Sequence, residues 1–94
     1  MDKPYVVYIL ECADGTYYTG STNDMERRFR AHQSGKAAKY TRGRLPVKQV
    51  YIEDCGSKGE ALSREYAIKA LTRKEKQKLI MEGGANARTE KFQG

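Results

Sequence analysis

Three short segments of the chain are rich in the β-branched and aromatic side chains that are typical of β-strands. Residues 5–11 are rich in β-branched and aromatic side chains, and they are followed by Asp14-Gly15, a dipeptide typical of hairpin turns. A similar pattern occurs twice more. The sequence therefore predicts three strands, over residues 5–11, 16–20 and 47–53.

Polar residues that cap helices divide the rest of the chain. Asn23 with Glu26 resembles a capping box, and Ser57 with Glu60 forms a second one. Gly35 and the Gly83-Gly84 pair are expected to end helices. Helices are predicted over residues 23–34, 57–71 and 74–81, and a further short helix is allowed within residues 37–42.

This element order, β-β-α-β-α-α, is typical of an α+β fold with a small, mostly antiparallel three-stranded sheet flanked by helices. A chain of 94 residues has room for one domain. We expect residues 1–84 to form it. Residues 85–94 contain one large apolar side chain, Phe92, and are predicted to be a flexible C-terminal tail.

The hairpin connecting the first two strands decides where two tyrosines lie. A two-residue loop would pair Ala13 with Thr16 and put Tyr8 and Tyr18 on opposite faces of the sheet. A three-residue loop with Gly15 in the left-handed region would pair Cys12 with Thr16. Tyr8 and Tyr18 would then be diagonal neighbours on one face. We predict the three-residue loop.

Positive charge is concentrated in the middle of the chain. The net charge is +6, and residues 23–50 alone carry eight basic and two acidic residues. Within residues 36–48 there are five cations, one tyrosine and no acid: Lys36, Lys39, Tyr40, Arg42, Arg44 and Lys48. Such a segment predicts a nucleic-acid-binding surface, although an ordinary solubilising basic loop is the alternative.

Other features of the composition exclude several classes of protein. The longest strongly apolar run has five residues, too few to cross a bilayer, and the basic segment lacks the apolar face of a membrane-surface helix. Cys12 and Cys55 form neither a CxxC pair nor a disulfide framework, and a single histidine argues against structural zinc. We expect a cytoplasmic protein.

Two polar residues of the first helix fall on its apolar side. At 100° per residue, Arg28 and His32 share that side with Met25 and Phe29, whereas Arg27 faces solvent. Arg28 should therefore point toward the sheet or a cleft beside it, paired with either a carboxylate or a ligand phosphate. His32 is either a hydrogen-bonded packing residue or a functional one.

Glu65 lies within an apolar arc of its helix, which is formed by Ala61, Leu62 and Ile68. Carboxylates in such positions are paired or bind metal. Two interpretations remain open: an i,i+4 ion pair with Lys69, or a ligand for a divalent cation.

Together these residues carry a family likeness. Val6-Val7-Tyr8, then Tyr18-Thr19-Gly20, then a helical Arg28 and a later Glu65 resemble the pattern of the GIY-YIG nuclease superfamily, in its short stand-alone bacterial branch. The likeness covers roughly residues 4–82. The sequence departs from the family pattern in the two tripeptides, and Gln77 stands where many members have an asparagine.

The resemblance implies a metal-dependent endonuclease that hydrolyses phosphodiester bonds in DNA, with branched, damaged or single-stranded DNA as candidate substrates and a role in DNA repair. Glu65 would hold one Mg²⁺ or Mn²⁺, Arg28 would stabilise the phosphoryl charge, and Tyr8, beside Tyr18, would orient or deprotonate the attacking water. His32 is the alternative base. Gly20 belongs to the structural motif.

An ordinary phenol is a poor base, so we expect a nearby cation to lower the pKa of Tyr8. The basic residues 36–48 would follow the nucleic-acid backbone, with RNA as a second possible ligand. A monomer is expected, and a protein partner could supply specificity. The alternatives are a nucleic-acid-binding module with vestigial catalysis and a small protein that recruits a nuclease.

Overall fold

The computed structural model describes residues 3–84, and the predicted tail over residues 85–94 lies outside them. Its strands are β1 (Tyr5–Glu11), β2 (Tyr17–Thr22) and β3 (Lys48–Gly56). Its helices are α1 (Met25–Gln33), α2 (Lys39–Arg42), α3 (Lys58–Lys69) and α4 (Arg73–Leu79), and a π-helical turn, Ile80–Gly84, continues α4. The α+β class and the short helix within residues 37–42 are confirmed. No helix of residues 3–84 is long and apolar enough to span a bilayer.

The central strand β1 pairs antiparallel with β2 on one side and with β3 on the other. Successive side chains of a strand point to opposite faces. Val7 and Ile9 accordingly pack in one core cluster with Ala61 and Ile68 of α3. Tyr8 and Leu10 pack in a second cluster. The members of that second cluster from other parts of the chain are Cys12, Val47, Tyr18, Met25, Phe29 and Leu45. Helices cover both faces, which is why β1 is a continuous apolar run.

The β1–β2 connection is the predicted three-residue loop. The Cys12 N–H donates to the Thr16 carbonyl at 2.8 Å, and the Gly15 N–H donates to the Cys12 carbonyl at 2.9 Å. Gly15 has φ +86°, a conformation that its lack of a side chain permits. Tyr8 is therefore opposite Gly20 and Leu10 is opposite Tyr18, so both tyrosines lie on the α1 face.

The helix caps correct one prediction. Asp24, not Asn23, caps α1, because its carboxylate accepts the Arg27 N–H at 3.2 Å. The Thr22 hydroxyl accepts the Asp24 N–H at 3.1 Å, which helps to set this start one residue later than predicted. The Ser57–Glu60 capping box is confirmed at α3. A further box, Thr72 with Glu75, begins α4 and had not been recognised in the sequence.

Candidate active site

Three side chains from separate elements form a buried hydrogen-bonded chain. The hydroxyl of Tyr8, on β1, lies 2.9 Å from Nε2 of His32, on α1. Nδ1 of His32 lies 2.9 Å from the hydroxyl of Thr41, on α2. That hydroxyl also donates to the Ala38 carbonyl at 3.2 Å. The side chains of His32 and Thr41 are fully buried.

The direction of these hydrogen bonds follows from counting protons. When Thr41 donates its one hydroxyl proton to the Ala38 carbonyl, the proton between Thr41 and His32 belongs to Nδ1. Nε2 of a neutral imidazole then carries a lone pair and accepts the hydroxyl proton of Tyr8. The arrangement therefore presents His32 as a proton acceptor for Tyr8.

Burial sets the protonation states of this pair. It lowers the pKa of His32 to about 4, and the positive charge of Arg28 adds to the effect, so the imidazole is neutral at pH 7. Burial also raises the pKa of Tyr8 well above its ordinary value. Tyr18 and Glu65 act in the same direction as burial, whereas Arg28 opposes it. The expectation that a cation lowers the pKa of Tyr8 is wrong for the free protein, because desolvation outweighs the charge of Arg28.

Gly20 allows the Tyr8 ring to reach the edge of the sheet. A Cβ on Gly20 would lie 2.5 Å from the Tyr8 hydroxyl and 2.7 Å from Cζ. The phenol therefore crosses directly over the Gly20 backbone. Since β2 is an edge strand, the hydroxyl lies near the border between the two faces. This close approach is the physical reason for glycine at the end of the Tyr18-Thr19-Gly20 triplet.

Tyr18 belongs to a row of aromatic rings beside the buried chain. Its ring centroid lies 6.4 Å from that of Tyr8, 5.1 Å from His32 and 6.0 Å from Tyr40. Arg44 lies over the Tyr40 ring, with Cζ 4.1 Å from the ring centroid. Arg44 also binds Asp14 at 3.0 Å, so this predicted nucleic-acid contact is held within the protein.

Arg28 lies beside a cleft, as its helical position predicted, but it is exposed rather than buried. The cleft has a volume of about 300 Å³ and is also lined by Arg27 and Lys36. Arg27 had been predicted to face away from the site. No carboxylate of residues 3–84 forms an ion pair with Arg28. Of the two partners that the sequence allowed for this residue, a carboxylate or a ligand phosphate, the phosphate therefore remains open.

Glu65 approaches from the other side of the edge strand. Its Oε1 accepts the Ser21 hydroxyl at 2.7 Å, and its Oε2 lies 2.7 Å from Nζ of Lys69. Ser21 is opposite Val7, so it projects toward α3. The predicted i,i+4 pair with Lys69 is confirmed, and Glu65 still acts on Tyr8, whose pKa it raises across β2.

Arg28 and Glu65 line separate recesses. Glu65 lines a recess of about 200 Å³ with Leu62, Tyr66 and Lys69, and this recess shares no lining residue with the Arg28 cleft. Arg28 and Glu65, which both belong to the family pattern, therefore line two different openings. The edge of β2 separates them, because neighbouring residues of a strand project to opposite faces.

The donor set at Glu65 fits a hydrated divalent ion better than a protein cage. Residues 3–84 contain no group of three or more His, Cys, Asp or Glu side chains that could enclose a metal. Mg²⁺ commonly binds proteins through one or two carboxylates and keeps several waters, with substrate phosphates as further ligands. Glu65, whose side chain is 16% exposed, can supply one such carboxylate once Lys69 releases it.

The remaining predicted residues are spread over the surface. Lys36 reaches the Arg28 cleft, and Lys39 and Arg42 are exposed on α2. Lys48 begins β3, where it pairs with Glu11 near the hairpin end of the sheet. Gln77 is exposed on α4, and within residues 3–84 no hydrogen bond joins it to the buried chain.

Thr41 and Ser21 were not recognised from the sequence. Thr41 is nine residues from His32, and nothing in the local pattern of a four-residue helix marks it. Ser21 directly follows the glycine of the second triplet, but its carboxylate partner is 44 residues away.

Comparison with known proteins identifies a family model and relatives that match most of the chain. Residues 4–79 match the family described as the GIY-YIG catalytic domain. A UPF0213 protein of Haloquadratum walsbyi is 52% identical over 83 residues, which cover 88% of this chain and 93% of that protein. A UPF0213 protein of Clostridium perfringens is 60% identical over 74 residues, covering 79% and 80% of the two chains.

A solved structure has the same fold. The solution NMR structure of a UPF0213 protein from Bacillus halodurans superposes with a TM-score of 0.57 at 49% identity. The match covers 90% of this chain and 92% of that one. With the two tyrosine triplets, the helical arginine and the glutamate in the family's order on this sheet, the chain belongs to the GIY-YIG nuclease family.

Proposed function

We propose that the protein is a divalent-metal-dependent endonuclease that hydrolyses phosphodiester bonds in DNA. The observation that carries this proposal is the buried Tyr8–His32–Thr41 chain beside a guanidinium, Arg28, that no carboxylate of the described residues neutralises. A purely structural cluster has no need of an unpaired cation next to a proton acceptor.

The buried chain supports a proton relay. Tyr8 accepts a proton from the attacking water at its hydroxyl oxygen while it passes its own proton to Nε2 of His32. The phenol stays neutral throughout, so its raised pKa does not block the step. Thr41 keeps the accepting nitrogen free by binding the proton of Nδ1.

Substrate binding would prepare His32 for this role. The charge of Arg28 contributes to the low pKa of His32. A phosphate that pairs with Arg28 would cancel that contribution, so the pKa of His32 would rise when substrate binds, although burial would still lower it. Arg28 would also stabilise the negative charge that develops on the phosphoryl oxygens.

Glu65 is the residue that would hold one Mg²⁺ or Mn²⁺, which when bound supplies positive charge for the departing oxygen. In its absence the Lys69 ammonium, 2.7 Å from Oε2, neutralises the carboxylate. Ser21 orients Oε1 by a hydrogen bond of 2.7 Å.

A nucleic-acid-binding module without catalysis is the second candidate. It is favoured by the observation that both oxygens of Glu65 already have partners, Ser21 and Lys69. The exposed cations of residues 36–48 would serve either function by neutralising backbone phosphates.

A nicking assay separates the two candidate functions. It uses the purified protein with supercoiled plasmid and with branched DNA, in the presence and absence of Mn²⁺ or Mg²⁺. We expect metal-dependent nicking by the wild type and a loss of about 10²-fold or more in Glu65→Gln, with binding retained. Glu26→Gln is the matched control, because Glu26 is an exposed α1 residue whose only described ion pair is with Arg30 at 3.6 Å. Wild-type nicking by Glu65→Gln would refute the metal role, and binding without nicking would select the second candidate.

A further inference from the structure

The cleft beside Arg28 has a charge pattern that the proposed reaction does not use. Arg27, Arg28 and Lys36 all line it, and within residues 3–84 none of the three side chains forms an ion pair. Its volume of about 300 Å³ is at the lower end of the range for ligand sites, roughly 300–1,000 Å³. In the proposed reaction only Arg28 contacts the reacting phosphate. Arg27 and Lys36 therefore have no role in that reaction.

The acid in this cleft offsets only part of that charge. Asp24 also lines it, but its carboxylate accepts the Arg27 N–H at 3.2 Å and binds Nζ of Lys3 at 3.2 Å. These contacts satisfy the carboxylate within the protein. The exposed side chain of Asn23 adds an uncharged donor to the same wall.

Arg28 connects this cleft with the buried chain, because it lines the cleft and precedes His32 by one turn on the same side of α1. An anion in the cleft would therefore be a neighbour of the phosphate at the reaction centre. Successive phosphates of one nucleic-acid strand have this relation, because covalent bonds hold them close together in spite of the repulsion that would separate two free anions.

We infer that the cleft binds a second, non-scissile phosphate of the same DNA strand, with Arg27 and Lys36 as positioning residues. This inference rests on the proposed function and deepens it. It means that the protein recognises a scissile bond together with the phosphate of a flanking nucleotide. Arg27 and Lys36 act by holding the strand and do not touch the reacting atoms.

The test compares two arginines of the same helix. Arg27→Gln and Arg30→Gln change the net charge equally, but Arg30 does not line the Arg28 cleft, and it has only an exposed 3.6 Å pair with Glu26. Such exposed pairs contribute little stability. The probe is a fluorescein-labelled single-stranded DNA 12-mer in EDTA, whose affinity is measured by anisotropy over a series of KCl concentrations.

We expect Arg27→Gln to weaken binding and to reduce the slope of log K against log[KCl] by about 0.7, the value of one phosphate contact on a single strand. Lys36→Gln should do the same, and Arg30→Gln should match the wild type. Equal slopes for Arg27→Gln and Arg30→Gln, with both variants folded by circular dichroism, would overturn the inference.

This binding measurement needs no catalysis, so it separates the inference from the proposed reaction. If the protein never nicks DNA but Arg27→Gln alone of the two arginine variants reduces the salt slope, the phosphate site in the cleft is supported and the nuclease proposal is refuted. Where nicking is measurable, Arg27→Gln should raise KM and leave kcat within about twofold, because uniform binding is lost. A fall in kcat with unchanged KM would contradict a positioning role.

Discussion

Gly20→Ala tests the geometry of the proposed site with the smallest possible change. The added Cβ would lie 2.5 Å from the Tyr8 hydroxyl, 2.7 Å from Cζ and 3.1 Å from Cε2 of Tyr18. Since non-bonded heavy atoms prefer separations of about 3.5–4.0 Å, the phenol must move by roughly 1 Å.

The Tyr8 ring has little room for that movement. Its side chain is 2% exposed and is held to His32 by a hydrogen bond of 2.9 Å. Overpacking of this kind costs about 1–3 kcal/mol, and breaking the hydrogen bond adds about 1 kcal/mol. A displacement of about 1 Å at a reaction centre costs on the order of 10²-fold in rate. We therefore expect Gly20→Ala to fold with reduced stability and to nick DNA about 10²-fold more slowly.

Urea unfolding and plasmid nicking measure the two effects, with Gly43→Ala as the matched control. Gly43 has φ −92°, which alanine tolerates, and a Cβ there would meet no atom within 4 Å. The control should stay within about 0.5 kcal/mol of the wild type. If Gly20→Ala were as stable and as active as Gly43→Ala, the Tyr8 ring could not cross Gly20 as described.

Two further predictions concern the imidazole. Thr41→Val should leave Nδ1 of His32 without its acceptor and cost about 1–3 kcal/mol, whereas Thr41→Ser should retain most of the stability. ¹⁵N NMR should report the Nδ1–H tautomer in the wild type, and an Nε2–H tautomer would contradict the relay. Because the pKa of His32 is lowered to about 4 in the folded protein, the unfolded chain binds its proton first on acidification. The free energy of unfolding should therefore fall by up to about 3 kcal/mol between pH 6.5 and pH 4, a loss that His32→Gln should abolish. Asp14 and Asp24 have lowered pKa values, so their contributions are lost mostly below this window. A flat profile between pH 6.5 and pH 4 would show that His32 is not buried as a neutral group.

Much of the fold could be predicted from local patterns. The strand β1 was predicted with its observed bounds, and the Asp14-Gly15 turn was sufficient to choose the loop length that puts Tyr8 and Tyr18 on one face. Hairpin register is a local property, because a turn type fixes which residues pair. The start of α1 was wrong by one residue, since two adjacent residues, Asn23 and Asp24, can each cap a helix.

The site was only partly accessible to such reasoning. Helical periodicity located Arg28 beside a cleft and assigned Arg27 to solvent. Both side chains are exposed, and both line the same cleft, because a cleft at the start of a helix is wider than one helical face. The sequence left Glu65 with two open interpretations, and the structure adds a partner, Ser21, that no spacing rule could indicate. The predicted direction of the Tyr8 pKa was wrong, because burial cannot be judged from a list of nearby charges.

The sequence by itself determined the element order, the hairpin register and the set of residue types that can handle a phosphate. Those features depend on interactions between residues close together in the chain. Only the tertiary structure decided that Thr41 orders His32, that Tyr8 is a neutral buried phenol, and that Glu65 reaches the edge of β2 from the opposite face. Each of these depends on contacts between distant segments and on the exclusion of water from their surroundings, and a linear pattern of residues specifies neither.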